Sequence, residues 1–181
     1  MSENQDYSET GASGPFYEVQ KVNHVWWVML LVYGCAALCW WGFIQQIILG
    51  QPWGNQPAPD WMMWLIWLLF GLCFPIFFNL LRLEVRLGDS RIYIRYFPLV
   101  KREVALLDID DFEARVYNPL REYGGWGIRG GSLRRAYNVY GKGGVELTLR
   151  HGSKVLIGSQ RAEELAERIS RAKVGVVTVY R

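Results

Sequence analysis

The residues that most resemble chemical machinery are Gly125-Trp126-Gly127-Ile128-Arg129-Gly130, which spell a glycine spacing used to cradle dinucleotides. That chemistry needs a strand before the glycines and a helix after them, so that a helix N-terminus meets the pyrophosphate. Here the segments that follow alternate like strands, so the glycines read as a turn-rich connection and no cofactor is expected. Cys35 and Cys39 share a helix face, and Cys73 falls at a similar distance from the end of its own apolar run. No histidine or carboxylate accompanies the three thiols, and cysteine is a common small apolar filler. His24 and His151 have no Cys or acid at ligand spacing. No metal is expected, and no nucleophile stands beside a base, so no catalytic residue is assigned. Asp108, Asp110, Asp111 and Glu113 cluster as a solvated strand entrance would.

Charge is segregated along the chain. Residues 1–24 carry four acids and one base, and Val25 to Leu81 carry only Asp60. From Arg82 to Arg181 there are nineteen bases and twelve acids, a net of +7. Eight of the nine tryptophans lie between Trp26 and Trp67. A basic excess of this kind can attract nucleic acid, but no reading motif accompanies it, and nucleic acid is not an expected partner.

The central region holds two uncharged runs, 25–49 and 61–81, each about the 20 residues needed to cross a hydrocarbon core. Both are apolar on every face, unlike the one-sided stripe of a helix at the surface of a globule. Trp26, Trp27, Trp53, Trp61 and Trp64 fall where an interfacial aromatic belt would sit. The loop 50–60 is rich in Gly and Pro and has no Lys or Arg, whereas Arg82, Arg86, Arg91 and Arg95 follow the second run. The positive-inside rule then places residues 82–181 in the cytoplasm, and two crossings return the segment 1–24 to the same side. The lipid bilayer is thus the first expected partner.

From Leu83 the hydrophobic period becomes two. Leu83, Val85 and Leu87 form one set, followed by Ile92, Ile94 and Tyr96. Further strands are expected over 100–107, over 111–117 with Phe112, Ala114 and Val116 inward, and over 136–140, 145–150 and 154–159. Arg161 to Lys173 has helical spacing. About seven antiparallel strands closed by a C-terminal helix is the layout of a pleckstrin-homology-like (PH-like) domain, and a lone β-sandwich is the alternative. The Val-rich stretch 174–180 reads as an added edge strand.

Tyr123-Gly124-Gly125-Trp126-Gly127-Ile128-Arg129, Ala136-Tyr137-Asn138-Val139, Gly144-Val145-Glu146-Leu147 and Leu156-Ile157-Gly158-Ser159-Gln160 carry a resemblance. Gly50-Gln51-Pro52-Trp53-Gly54 and Pro119-Leu120-Arg121-Glu122 fit it as well. The chain resembles a family of uncharacterised bacterial membrane proteins with two helices and a bacterial PH-like domain, over about residues 16–169. The resemblance implies fold and topology and carries no activity.

The expectation is a non-catalytic interaction or assembly module of the bacterial cytoplasmic membrane, meeting another membrane protein or a second copy of itself. A binder of anionic lipid headgroups is the alternative. No small-molecule substrate is indicated. The loop 123–135 is the candidate recognition surface, with Trp126 as anchor and Arg129, Arg134 and Arg135 as charges for an acidic partner or headgroup. Packing of Trp126 against the domain's own core is the competing reading.

Overall fold

The computed structural model describes residues 16–179, with side chains through residue 175. The chain divides into two units. One is the continuous stretch Gln20–Arg82, and the other is built from segments on both sides of it.

Within the first unit, α1 (Trp26–Ile48) and α2 (Asp60–Leu80) are both long and apolar enough to cross a membrane. Little of their surface is buried: 28% of the apolar window of α1 and 11% of that of α2. Leu30, Leu31, Leu38, Trp41, Trp61 and Ile76 all point outward. The helices meet through a ring cluster in which Phe43 stacks on Trp67 at 4.6 Å and Trp40 meets Trp67 edge-on at 5.1 Å. Pro75 explains one further contact. Proline has no N–H to donate to the carbonyl four residues earlier, that of Gly71. The backbone widens into a π-helical stretch over Trp67–Cys73 just before it, and the Trp40 indole N–H donates to the Gly71 carbonyl at 3.2 Å. The ends of the pair are also tied. Asn79 Nδ2 donates to the Tyr33 hydroxyl at 2.9 Å, and Gln46 Nε2 donates to the Ala58 carbonyl and to Asp60 Oδ1.

The second unit contains two sheets. β1 (Tyr17–Lys21), β2 (Arg82–Leu87), β3 (Arg91–Phe97) and β4 (Val100–Ala105) lie side by side in that order. β5 (Ile109–Val116), β6 (Gly127–Gly130), β7 (Arg134–Asn138), β8 (Gly143–Leu149) and β9 (Lys154–Gly158) form a sheet in the order β5-β8-β9-β7-β6. A short helix α3 (Pro119–Tyr123) follows β5, and α4 (Ala162–Val179) closes the chain. The alternating residues named for the first two strands from Leu83 are core, with Leu83, Val85 and Ile92 fully buried, and so are Val145 and Leu147 of β8. Leu165 and Ile169 of α4 are equally buried, as an amphipathic helix covering an apolar face requires.

Several expectations need correction. Residues 1–24 were expected to form a tail, but Tyr17–Lys21 is a strand of the first sheet, flanking β2. Its exposed-buried alternation is only five residues long, and the partner strand lies beyond two helices, so no hairpin signal marks it. The expectation of about seven strands, all antiparallel, also fails. Eight lie from Arg82 onward, and β9 inserts between β8 and β7, parallel to β7. β6 is glycine-rich, which hides it from a propensity reading. Val116 is 79% exposed, because its cross-strand neighbour is Gly143, which has no side chain to cover it. The stretch 174–180 was expected to add an edge strand, yet helix runs on through Val179, as extending an existing helix is easier than nucleating a new element.

β1 is fastened by more than its neighbour strand. The buried Glu18 carboxylate accepts hydrogen bonds from the Ser159 hydroxyl and, at 2.9 Å, from the Gln160 N–H. Arg161 donates to the Tyr17 carbonyl at 2.7 Å and lies 4.8 Å over the ring of Phe16. Residues 16–18 are thereby clamped to the turn that opens α4. Glu18→Ala should lower the stability of the full chain by about 1–3 kcal/mol, chiefly the cost of orphaning the buried Ser159 hydroxyl. Denaturant unfolding in detergent measures it, and an unchanged midpoint would mean the clamp contributes nothing.

Candidate recognition hairpin

The stretch 118–138, of which residues 123–135 were expected to be an irregular loop, is a capped helix followed by a β-hairpin. Asn118 caps α3, its side chain accepting from the N–H groups of Leu120 and Arg121, with Pro119 at the first helical position. Gly124 ends the helix at φ 71°, and the N–H groups of Gly124 and Gly125 return to the carbonyls of Leu120 and Pro119. The chain then turns through Trp126 into β6. Gly127 N–H donates to the side chain of the buried Asn138 at 2.8 Å, and Asn138 donates to the Tyr117 hydroxyl at 2.9 Å. β6 pairs with β7 from Gly127↔Asn138 to Gly130↔Arg135. At Gly130, φ is 89° and an added Cβ would lie 2.1 Å from the Arg134 carbonyl oxygen, so only glycine closes this tip.

The four candidate residues separate in this frame. Trp126 is 36% exposed, and its indole N–H reaches the Gly141 carbonyl at 3.4 Å. Arg129 is exposed and folds back to donate to the Trp126 carbonyl at 3.0 Å. Arg135 is half-buried, one strand position from the tip. Arg134 is committed elsewhere. It bonds the Tyr123 hydroxyl at 3.1 Å, lies 4.8 Å over the Tyr123 ring, and pairs with Glu122 at 3.3 Å and Glu146 at 3.7 Å. Sequence reading did not single out Leu133, which is 75% exposed at the tip. An apolar residue between Gly-Gly-Ser and Arg-Arg is the signal that would have found it.

Arg134 belongs to a five-membered charge network spanning β5, α3, β7, β8 and β9. Arg115 pairs with Glu122 at 2.8 Å and Glu146 at 2.6 Å, and Lys154 pairs with Glu146 at 2.9 Å. The hydrogen bond with Glu122, followed by that with Glu146, holds the Arg115 guanidinium in its charged form more firmly than usual. Hydrogen bonds from Arg115 and from the Asn118 backbone lower the Glu122 pKa. Burial pushes Glu146 upward, but hydrogen bonds from Lys154 and Arg115 outweigh it, and the net shift is down. The network joins the strands and braces α3 and the start of β7.

Over residues 6–176 the chain matches a family of unknown function, DUF6141, and it belongs to that family. No curated protein and no solved structure matches it.

Two predictions follow from this geometry. Glu146→Ala leaves Arg115, Arg134 and Lys154 facing one another and should cost about 2–3 kcal/mol, between the ranges for exposed and buried pairs. Because Glu122 and Glu146 have depressed pKa values in the folded state, the stability they contribute is present above the unfolded carboxylate pKa, about 4.3. It is lost as pH falls through the lower folded values, so wild type should lose stability below about pH 4 more steeply than the variant. Parallel acid-denaturation curves would contradict this assignment. Trp126→Ala removes a side chain one-third exposed and should leave the melting temperature nearly unchanged. A loss of about 3–5 kcal/mol, typical of a core aromatic, would show that its role is packing.

Proposed function

We propose that this chain is a non-catalytic interaction or assembly module anchored in the bacterial cytoplasmic membrane by α1 and α2, with a PH-like domain on the cytoplasmic side. The observation that carries the reading is the outward surface of the two helices. A core helix of a soluble protein is mostly buried, whereas these present Leu, Ile, Phe and Trp side chains to their surroundings along their length. Burying such surface in lipid is the ordinary way to satisfy it. The polar groups inside the pair, Asn79 with Tyr33 and Gln46 with Asp60, are spent on each other, as hairpin-stabilising contacts are.

The fold supports the topology. β1 precedes α1 and β2 follows α2, yet they are neighbouring strands of one sheet. Both flanks must therefore lie on the same side, which requires an even number of crossings. The absence of Lys and Arg from 50–60 and the arginines of β2 and β3 select the cytoplasm for those flanks.

On the cytoplasmic side the braced hairpin offers Trp126, Leu133 and Arg129 to a partner protein or to a second copy. Lipid headgroup binding is the second reading. Its support is the outward face of β2–β4, where Arg86, Arg91 and Arg95 alternate with buried residues and Lys101 stands opposite Arg95. Glu103 pairs with Arg91 at 3.1 Å and Glu84 with Arg95 at 3.8 Å, which leaves Arg86 and Lys101 unneutralised by ion pairs among the described residues. Two bases are worth about 2 kcal/mol at an anionic surface. That is small beside the insertion of two apolar helices, so lipid attraction would add to anchoring and not replace it.

Single-cysteine labelling from outside intact cells tests the arrangement, in a background with Cys35, Cys39 and Cys73 changed to serine. Gln56→Cys should react and Gly175→Cys should not. Labelling of Gly175→Cys alone would invert the topology, and labelling of neither in cells, with both reactive after lysis, would place the chain wholly inside.

A further inference from the structure

β5 is an edge strand of the five-stranded sheet, with β8 on one side only. Its free edge can be read from the ladder. Tyr117 N–H donates to the Lys142 carbonyl at 2.8 Å, and the register continues as Arg115↔Gly144 and Glu113↔Glu146. In an antiparallel pair every second residue turns its backbone groups to the neighbour, so Phe112, Ala114 and Val116 turn theirs away from β8. The Phe112 N–H is taken by the Asp111 side chain at 2.9 Å. The Phe112 carbonyl and the N–H and carbonyl groups of Ala114 and Val116 have no hydrogen-bond partner among the described residues. Beside them lies a groove of about 540 Å³ between β5 and the start of α4, lined in part by Ala114, Val116, Gly143 and Ala162. Val116, at 79% exposed, is an apolar side chain standing open at its edge.

The charge of this edge runs against the rest of the basic domain. Asp108, Asp110, Asp111 and Glu113 are exposed, and none makes an ion pair among the described residues; the same holds for Glu163 at the rim of the groove. Glu113 stands opposite Glu146, whose charge is already taken up by Arg115, Arg134 and Lys154. Two copies paired through this edge would set like charges against each other, which disfavours self-association. A strand that satisfies both the backbone and the charge must be basic on the side beside Asp111 and Glu113. On the side over Val116 and Ala162 it must be apolar.

We propose that the free edge of β5 is a docking site for an extended segment of a partner protein that alternates basic and apolar residues and adds to the sheet as a further strand. Main-chain hydrogen bonds supply affinity and the acidic edge supplies selection. The assignment rests on the reading of the chain as an interaction module, but not on the β6–β7 hairpin being its contact surface.

The test uses the full chain in detergent micelles and two fluorescent octapeptides, one alternating lysine with valine and one alternating glutamate with valine. The lysine peptide should bind about tenfold tighter or more, more weakly as salt rises, and should slow amide exchange over Phe112–Val116. Ala114→Pro removes an outward N–H without touching the β8 ladder and should weaken binding about tenfold while the melting temperature holds. If that variant does not fold, Asp111→Lys with Glu113→Lys decides, since it should transfer the preference to the glutamate peptide. Equal binding of the two peptides, or binding that ignores the charge reversal, overturns the proposal. A micelle-borne dimer that Ala114→Pro disperses overturns it too, in favour of a second copy. None of these outcomes bears on the cysteine-labelling pattern or on Trp126→Ala, so failure here stays distinct from failure of the anchored-module reading.

Discussion

The architecture depends on one covalent constraint: two neighbouring strands are separated by the whole of the two-helix unit. The Phe16 carbonyl accepts from the Leu87 N–H at 2.9 Å, and the Val22 N–H donates to the Leu81 carbonyl at 3.1 Å. Both pairs keep the same antiparallel register. The helices thus replace the turn that an ordinary hairpin would have. Closing so long a connection costs chain entropy, though only slowly more with length, and hydrogen bonds at both ends of the strand pair offset it. The Glu18 carboxylate adds a third fastening by holding the residues that start α4. The β-rich unit is therefore completed by residues made before the helices, and a fragment beginning at Leu83 lacks one strand and the clamp.

Much of this was legible in the sequence because it rests on local pattern. The apolar runs 25–49 and 61–81 became α1 and α2, and the period-two stretches from Leu83 became β2 and β3 at nearly the expected bounds. What stayed hidden depends on distant partners. β1 has a strand only because β2 lies beside it, and β6 only because β7 does. Val116 follows the inward alternation of Phe112 and Ala114 but faces a glycine, so the pattern was right and the environment was not. At the candidate hairpin, sequence located the basic loop, but the partners of Arg134, namely Tyr123, Glu122 and Glu146, lie 11 or 12 residues to either side, a spacing that no helix or strand period marks.

The domain treats its charges in two ways. Around Glu146 they are gathered, half-buried and matched, and they serve to fix strands, a helix and a hairpin in one arrangement. Along β5 the acids are exposed and make no ion pair among the described residues. The first arrangement raises rigidity and leaves nothing for a partner. The second leaves both charge and backbone available, on the one strand of the second sheet whose opening residues sequence reading took for a solvated entrance.

Synthesis from the N-terminus gives the Glu18 clamp a temporal side. Glu18 and Ser159 are 141 residues apart. At about 5–20 residues per second, the carboxylate leaves the ribosome roughly 7–28 seconds before its hydroxyl partner exists. For the first part of that interval β1 has no β2, throughout it β1 has no α4, and Phe16, buried at the end, still lacks the Arg161 guanidinium over its ring. The nascent chain must deliver two apolar helices while keeping an unpaired strand and an uncovered aromatic from premature pairing. The later-made turn Ser159 to Arg161 is what retires that exposed strand, so β1 and the start of α4 mature together, after the two helices have been made.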